Sequence, residues 1–126
     1  KTLFIKGVVE KNQIKQQIAN VTYFNFMSSF ELEQAFNESE IILCRSGYTT
    51  IMDLVKLQKK AFFIPTPGQY EQEYLAKKLK NNNLVPYVEQ DNFRIEALAE
   101  IKNYQGLPIV NTAFDWTDLL KVFDDK

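Results

Sequence analysis

The 126-residue sequence predicts an α/β domain, a parallel sheet flanked by helices, and three observations carry that expectation. Short runs rich in β-branched and aromatic residues alternate with segments whose apolar residues recur at helical spacing. The apolar runs are nearly continuous rather than strictly alternating, which suits strands covered on both faces. The residues between them are turn and cap formers, with no long linker, repeat or low-complexity tract, so one domain over 1–126 is expected.

Five strands are expected in order: "TLFIKGVV" (2–9), "VTYFNF" (21–26), "EIILCR" (40–45), "KAFFIPT" (60–66) and "LVPYVE" (84–89). A helix after Ser28 and Ser29 follows from Leu32, Ala35 and Phe36. A second covers 51–57, and a third carries Tyr70, Tyr74, Leu75 and Leu79 on helical spacing. "KNNN" (80–83) reads as a helix terminus and turn. In the tail, Asp115 stands as a cap before Trp116, Leu119, Leu120 and Phe123, which recur at i, i+3, i+4 and i+7.

Composition excludes several classes. Hydrophobic residues at 45% and charged residues at 25% describe an ordinary globular chain rather than a disordered one. A net charge of -1 provides no field for a phosphate backbone, so no nucleic-acid partner is expected. The single cysteine, Cys44, has no internal partner and reads as a small core residue of a reducing, cytoplasmic compartment. No apolar run approaches the roughly 20 residues needed to span a bilayer. With no histidine and one cysteine, neither a metal site nor a histidine-dependent triad is expected.

Two loops carry the chemistry. "CRSGYTTIMDL" (44–54) puts Arg45, Ser46, Gly47, Tyr48, Thr49 and Thr50 at the carboxyl end of a parallel strand, where open α/β sheets bind ligands. Gly47 allows an unusual backbone angle or a close approach, and the amides that open the next helix attract an anion. Ser46, Thr49 and Thr50 add hydroxyl donors, and Arg45 adds charge-assisted bonds to a phosphate. A purely structural reading stands beside this one: Thr50 and Asp53 form a capping box and nothing more. The loop lacks the "GK[ST]" ending of an ATP-hydrolysing phosphate loop. The second loop, "IPTPGQYEQEYLAKKL" (64–79), leaves its strand through Pro65, Pro67 and Gly68. It presents Gln69, Gln72 and Glu73 in the first turn of a helix, where amides and carboxylates read sugar hydroxyls. A solvated helix start is the alternative there.

Taken together, "CRSGYTTIMDL", "AFFIPTPGQ" and "EQEYLAKKL" resemble the C-terminal, donor-nucleotide-binding half of the family 28 glycosyltransferases, and the likeness runs from about residue 21 to residue 89. The resemblance implies a Rossmann-like domain, the second half of a GT-B fold. It places Arg45, Ser46 and Gly47 beside the donor nucleotide and Thr50 at the helix start near the diphosphate. Asp53 falls where the family has a glutamate on the ribose hydroxyls, and Gln72 falls at the glutamine that contacts the donor sugar. The backbone near Phe26 and Met27 aligns with the loop that reads uracil. Glu71 and Leu75 depart from a common histidine and asparagine of the family.

The resemblance further implies a uridine diphosphate (UDP) sugar as donor substrate, no separate cofactor, and transfer of a hexose or N-acetylhexosamine to an acceptor hydroxyl, with inversion favoured. The general base would belong to an N-terminal acceptor domain, so no catalytic residue is assigned here. A first strand, a glycine-rich loop and a helix are expected before Lys1, in a longer chain. From that follow three expectations: a fragment inactive alone, self-association of the fragment through the open sheet centre, and peripheral association of the parent with the inner face of the membrane. The alternatives are a non-catalytic partner subunit and a metabolite-sensing module.

Overall fold

The computed structural model describes residues 2–8 and 10–108, which fall into two compact units, Lys1–Ser39 and Glu40–Lys126. The tail helix expected after Asp115 lies outside the described residues.

In the first unit, β1 (Thr2–Ile5) runs parallel to β3 (Val21–Phe24), with Thr2 opposite Val21 and Ile5 opposite Phe24. Between them in sequence lies a strand that was not anticipated, β2 (Lys15–Ile18), antiparallel to β3. Its sequence, KQQI, has one apolar residue in four and every position is exposed, so no burial pattern marks it. The hairpin closes at Ala19, whose φ of 54° is left-handed, at a cost of about 1–2 kcal/mol for an L-residue. β1 ends at Ile5, short of the expected run, and Gly7 turns the chain with a φ of 72°.

Asn25, buried after β3, organises the loop that precedes β2. Its Oδ1 accepts from the amides of Ile14 (2.7 Å) and Phe26 (3.0 Å), while Nδ2 donates to the Glu10 carboxylate (2.6 Å) and the Asn12 carbonyl (2.9 Å). All of that amide's capacity is used, which is what makes its burial tolerable. Helix α1 (Ser29–Glu38) takes in the second of the two serines expected to precede it, and the first, Ser28, is its N-cap in a capping box. The Ser28 oxygen accepts the Glu31 amide and the Glu31 carboxylate accepts the Ser28 amide. That backbone bond holds the Glu31 carboxyl below the usual glutamate range. The cap therefore contributes fully above the ordinary glutamate pKa and fades as pH falls through the lowered value.

The second unit holds the apolar core. β4 (Ile41–Cys44) leads to α2 (Tyr48–Leu57), then to β5 (Lys60–Phe63), parallel to β4, then to α3 (Tyr70–Asn81). Ala61, Phe62 and Phe63 are all buried, so β5 is covered on both faces as expected. β4 is not. Ile42 is buried, but Ile41 and Leu43 are 45% and 42% exposed, so one face of that strand is open. α2 contributes Ile51, Leu54 and Val55 to the core and α3 contributes Leu75, Ala76 and Leu79, each set on one helix face. The fold class is thus α/β, with parallel strand pairs flanked by helices.

The expected fifth strand reduces to a single bridge, between Phe63 and Tyr87. Phe63 donates to the Pro86 carbonyl (3.0 Å) and accepts from the Val88 amide (3.2 Å). Pro86 has no N–H, so the ladder does not continue through it. Leu84, Val85 and Pro86 are nevertheless buried, which explains their apolar character without regular pairing. The chain then passes through 3₁₀ turns at Gln90–Asn92 and Ile95–Asn103.

Both core helices end in a left-handed residue. Gln58 (φ 53°) closes α2, with the Lys59 amide on the Leu54 carbonyl (3.2 Å) and the Gln58 amide on Val55 (3.3 Å). Asn83 (φ 61°) closes α3 the same way, with Leu84 on Leu79 and Asn83 on Lys80. Two bonds of this span form a Schellman motif, and asparagine tolerates its backbone angle better than glutamine does. Gln58→Gly is expected to stabilise the chain by about 1 kcal/mol in urea denaturation; unchanged or lower stability would show that the Gln58 side chain outweighs the backbone strain.

Candidate functional site

Within the second unit, the loops that leave β4 and β5 converge at the carboxyl ends of the two strands. The pairing extends one residue past β5, where the Ile64 amide donates to the carbonyl of Cys44, the last residue of β4 (2.9 Å). Next in sequence, Arg45 reaches across the end of β5. Its Nη1 donates to the carbonyls of Ile64 (3.1 Å) and Pro65 (3.4 Å), and its Nη2 donates to Gln90 Oε1 at 2.7 Å. The guanidinium therefore ties three segments together in addition to carrying charge. Ser46 is fully buried, and its hydroxyl donates to the Gln72 carbonyl in the first turn of α3 at 2.7 Å. The loop after β4 is thereby fixed to the helix that follows β5.

Gln72 closes a second link. Its Oε1 accepts the Thr66 amide at 2.8 Å, and Glu73 Oε1 accepts the Gly68 amide at 3.2 Å. Both side chains thus brace the proline-rich loop, whose Gly68 has a φ of 81°. The amide end of Gln72, Nε2, is the end left to donate to a ligand. Gln69 is exposed and forms the N-cap of α3 through its backbone, its carbonyl accepting the Glu73 amide at 3.0 Å.

The start of α2 settles the choice between cap and open helix end. The helix begins at Tyr48 with Gly47 as N-cap, three residues before the start that a Thr50–Asp53 capping box requires, and no side chain caps it. Thr50 and Asp53 lie inside the helix and do not cap it. Asp53 lies four residues on from Thr49 and three on from Thr50, so it neighbours both on the helix surface, with Thr49 and Asp53 exposed and Thr50 half-buried. The φ of Gly47 is -73°, open to any residue, and nothing lies within 4 Å of where its Cβ would stand. The glycine is thus not required by backbone geometry; what it leaves is space beside the first-turn amides, where the helix end favours an anion.

Other predicted residues fall elsewhere. Leu75 is fully buried in the core, which removes that position from ligand contact. Cys44 is half-buried, and desolvation pushes its thiol up to about 12, so it stays protonated at neutral pH and is no nucleophile. Phe26 and Met27 belong to the first unit, where the Phe26 carbonyl accepts Gln13 Nε2 at 2.8 Å. Gln90 and Thr66 are the residues that sequence reasoning missed. Gln90 is 45 residues from Arg45 in a stretch of ordinary polar character, and no local signal announces the contact.

With this arrangement in hand, the class is an α/β domain whose parallel strands are followed by helices, and comparison supplies the family. Residues 2–103 match the glycosyltransferase family 28 C-terminal domain, and the chain belongs to that family. Three curated relatives bear the name UDP-N-acetylglucosamine–N-acetylmuramyl-(pentapeptide) pyrophosphoryl-undecaprenol N-acetylglucosamine transferase. The one from Buchnera aphidicola is 35% identical over 85 residues, covering 65% of this chain and 24% of that protein. That of Vesicomyosocius okutanii is 32% identical over 93 residues (72% and 26%), and that of Haemophilus ducreyi 30% over 91 residues (71% and 25%). The chain spans about a quarter of the length of these relatives. No solved structure matches it.

Ser46→Ala is expected to lower stability by about 1 kcal/mol in urea denaturation, the ordinary worth of a lost buried hydrogen bond. It should also broaden the amide resonances of residues 64–73. A variant as stable and as ordered as the parent would show that Ser46 does not join the two loops.

Proposed function

We propose that this chain is the donor-binding part of a glycosyltransferase that moves a hexosyl or N-acetylhexosaminyl group from a UDP-sugar to an acceptor hydroxyl. The observation that carries the reading is the start of α2: a helix end with no capping side chain, open space beside Gly47, and a position at the carboxyl end of a parallel strand. The names of the relatives support UDP-N-acetylglucosamine as the donor.

In the proposed reaction the acceptor oxygen attacks the anomeric carbon, the bond from that carbon to the diphosphate oxygen breaks, and UDP leaves with the electron pair. The acceptor proton passes to a base in a part of the protein outside this chain. This chain's residues act on the leaving group. First-turn amides of α2 and the charge of Arg45 stabilise the negative charge that grows on the diphosphate, where preorganised dipoles count most. Asp53, one turn further along the exposed face of α2, hydrogen-bonds the ribose hydroxyls, with Thr49 and Thr50 between it and the phosphates. Gln72 donates through Nε2 to the donor sugar, while Gln69 and Glu73 flank it.

No helix among the described residues is long and apolar enough to cross a membrane. The relatives' names specify an undecaprenol-linked acceptor, which supports action of the complete protein at a membrane surface.

Calorimetric titration tests the assignment. UDP is expected to bind in preference to ADP and GDP. Gly47→Ala should weaken UDP binding about tenfold while changing stability by less than about 1 kcal/mol. Equal binding of the three nucleotides, or a Gly47→Ala variant that binds as well as the parent, would overturn it.

A further inference from the structure

A cavity of about 570 Å³ opens between α3, the loop that leaves β5 and the segment 87–91. Tyr70, Glu73, Tyr74 and Lys77 line one wall, at i, i+3, i+4 and i+7 of α3. Gln72 is two residues on from Tyr70, roughly 200° round the helix. It shares the inward face with Leu75 and Leu79, which are fully buried. Tyr87, Glu89, Gln90 and Asp91 form the facing wall, and Pro65 and Pro67 the rigid end. This volume is within the range of small-ligand sites, and the lining pairs three tyrosines and two prolines with five polar or charged residues.

The chemistry of that lining selects a ligand. Three carboxylates against one lysine give it a net charge of -2, which disfavours a nucleotide, a phosphate or a uronic acid. Three tyrosine rings offer flat apolar surface with a hydroxyl at each edge. Tyr70 and Tyr74 stand 6.3 Å apart with their planes 35° from parallel, a short platform along the helix. Carboxylates only accept hydrogen bonds, whereas Lys77 and the tyrosine hydroxyls donate, so the wall suits a partner that is itself donor and acceptor at many points. An organic cation would use the rings and acids alone, and a resident cation already occupies one ring: Lys80 Nζ sits 5.2 Å from the Tyr87 centroid.

We infer that this cavity is a second saccharide site, taking an uncharged sugar ring other than the donor sugar. Its apolar face would lie on Tyr70 and Tyr74, and its hydroxyls would bond Glu89 and Asp91. The cavity adjoins the proposed nucleotide site, because two of its wall residues, Pro65 through its carbonyl and Gln90 through Oε1, accept from Arg45. Glu73, set beside the donor sugar above, also lines this cavity, whereas Tyr70, Tyr74, Glu89 and Asp91 have no part in the nucleotide assignment, so the inference does not depend on UDP being the nucleotide.

The test is a ¹H–¹⁵N NMR titration of the chain with N,N′-diacetylchitobiose and with methyl β-glucoside, using glucuronic acid and tetramethylammonium as controls. The neutral sugars are expected to shift amides in 65–77 and 87–91. Tyr74→Ala and the surface variant Tyr70→Ala should each weaken that binding about tenfold and leave nucleotide titrations within about twofold. Absence of shifts with both neutral sugars, shifts that both tyrosine variants retain, or stronger binding of glucuronic acid or tetramethylammonium would each overturn the inference. Loss of UDP binding alone would count against the donor assignment and not against this one.

Discussion

The candidate site depends on one buried hydrogen bond, from the Ser46 hydroxyl to the Gln72 carbonyl. Ser46 has no access to water, so its hydroxyl must find a protein partner or bear the cost of burial alone. The partner it finds lies in the first turn of α3, 26 residues away. That bond fixes where the chain turns into α2, and so where the open end of that helix points. Arg45 reinforces the same junction through the Ile64 and Pro65 carbonyls and Gln90, and Gln72 and Glu73 extend it to the backbone of the proline-rich loop. A binding site built from loops needs such bracing if its backbone donors are to be in place before the ligand arrives.

Much of the second unit was legible because its burial pattern is simple. β5 is buried at three consecutive apolar residues and its neighbouring helices carry apolar residues on one face, so period and composition agreed. Where packing and pattern parted, the sequence misled. KQQI forms β2 through backbone pairing, with no buried residue to mark it, and LVPYVE is buried without forming a ladder because Pro86 lacks the donor. β4 reads as apolar throughout, yet one of its faces is open.

The site was legible in kind more than in role. The loop motifs drew attention to Arg45, Ser46, Gly47 and Gln72, and the fold brings the loops that carry them together. Their detailed contacts were beyond the reach of spacing. Ser46 reads as a phosphate donor in sequence and is an internal brace in the structure, with Arg45 sharing that task. Gly47 offered two explanations, backbone angle or close approach, and only its φ and its open surroundings separate them. Long-range partners such as Gln90 leave no local trace, since a polar residue in a polar stretch carries no period and no cap signal.

The most direct measurement is a crystal structure with uridine diphosphate bound. The account predicts the diphosphate against the first-turn amides of α2 beside Gly47, with the Ser46–Gln72 bond intact and the ribose within reach of Asp53. A nucleotide seated on any other surface, or one that binds only after the Ser46–Gln72 bond breaks, would contradict it.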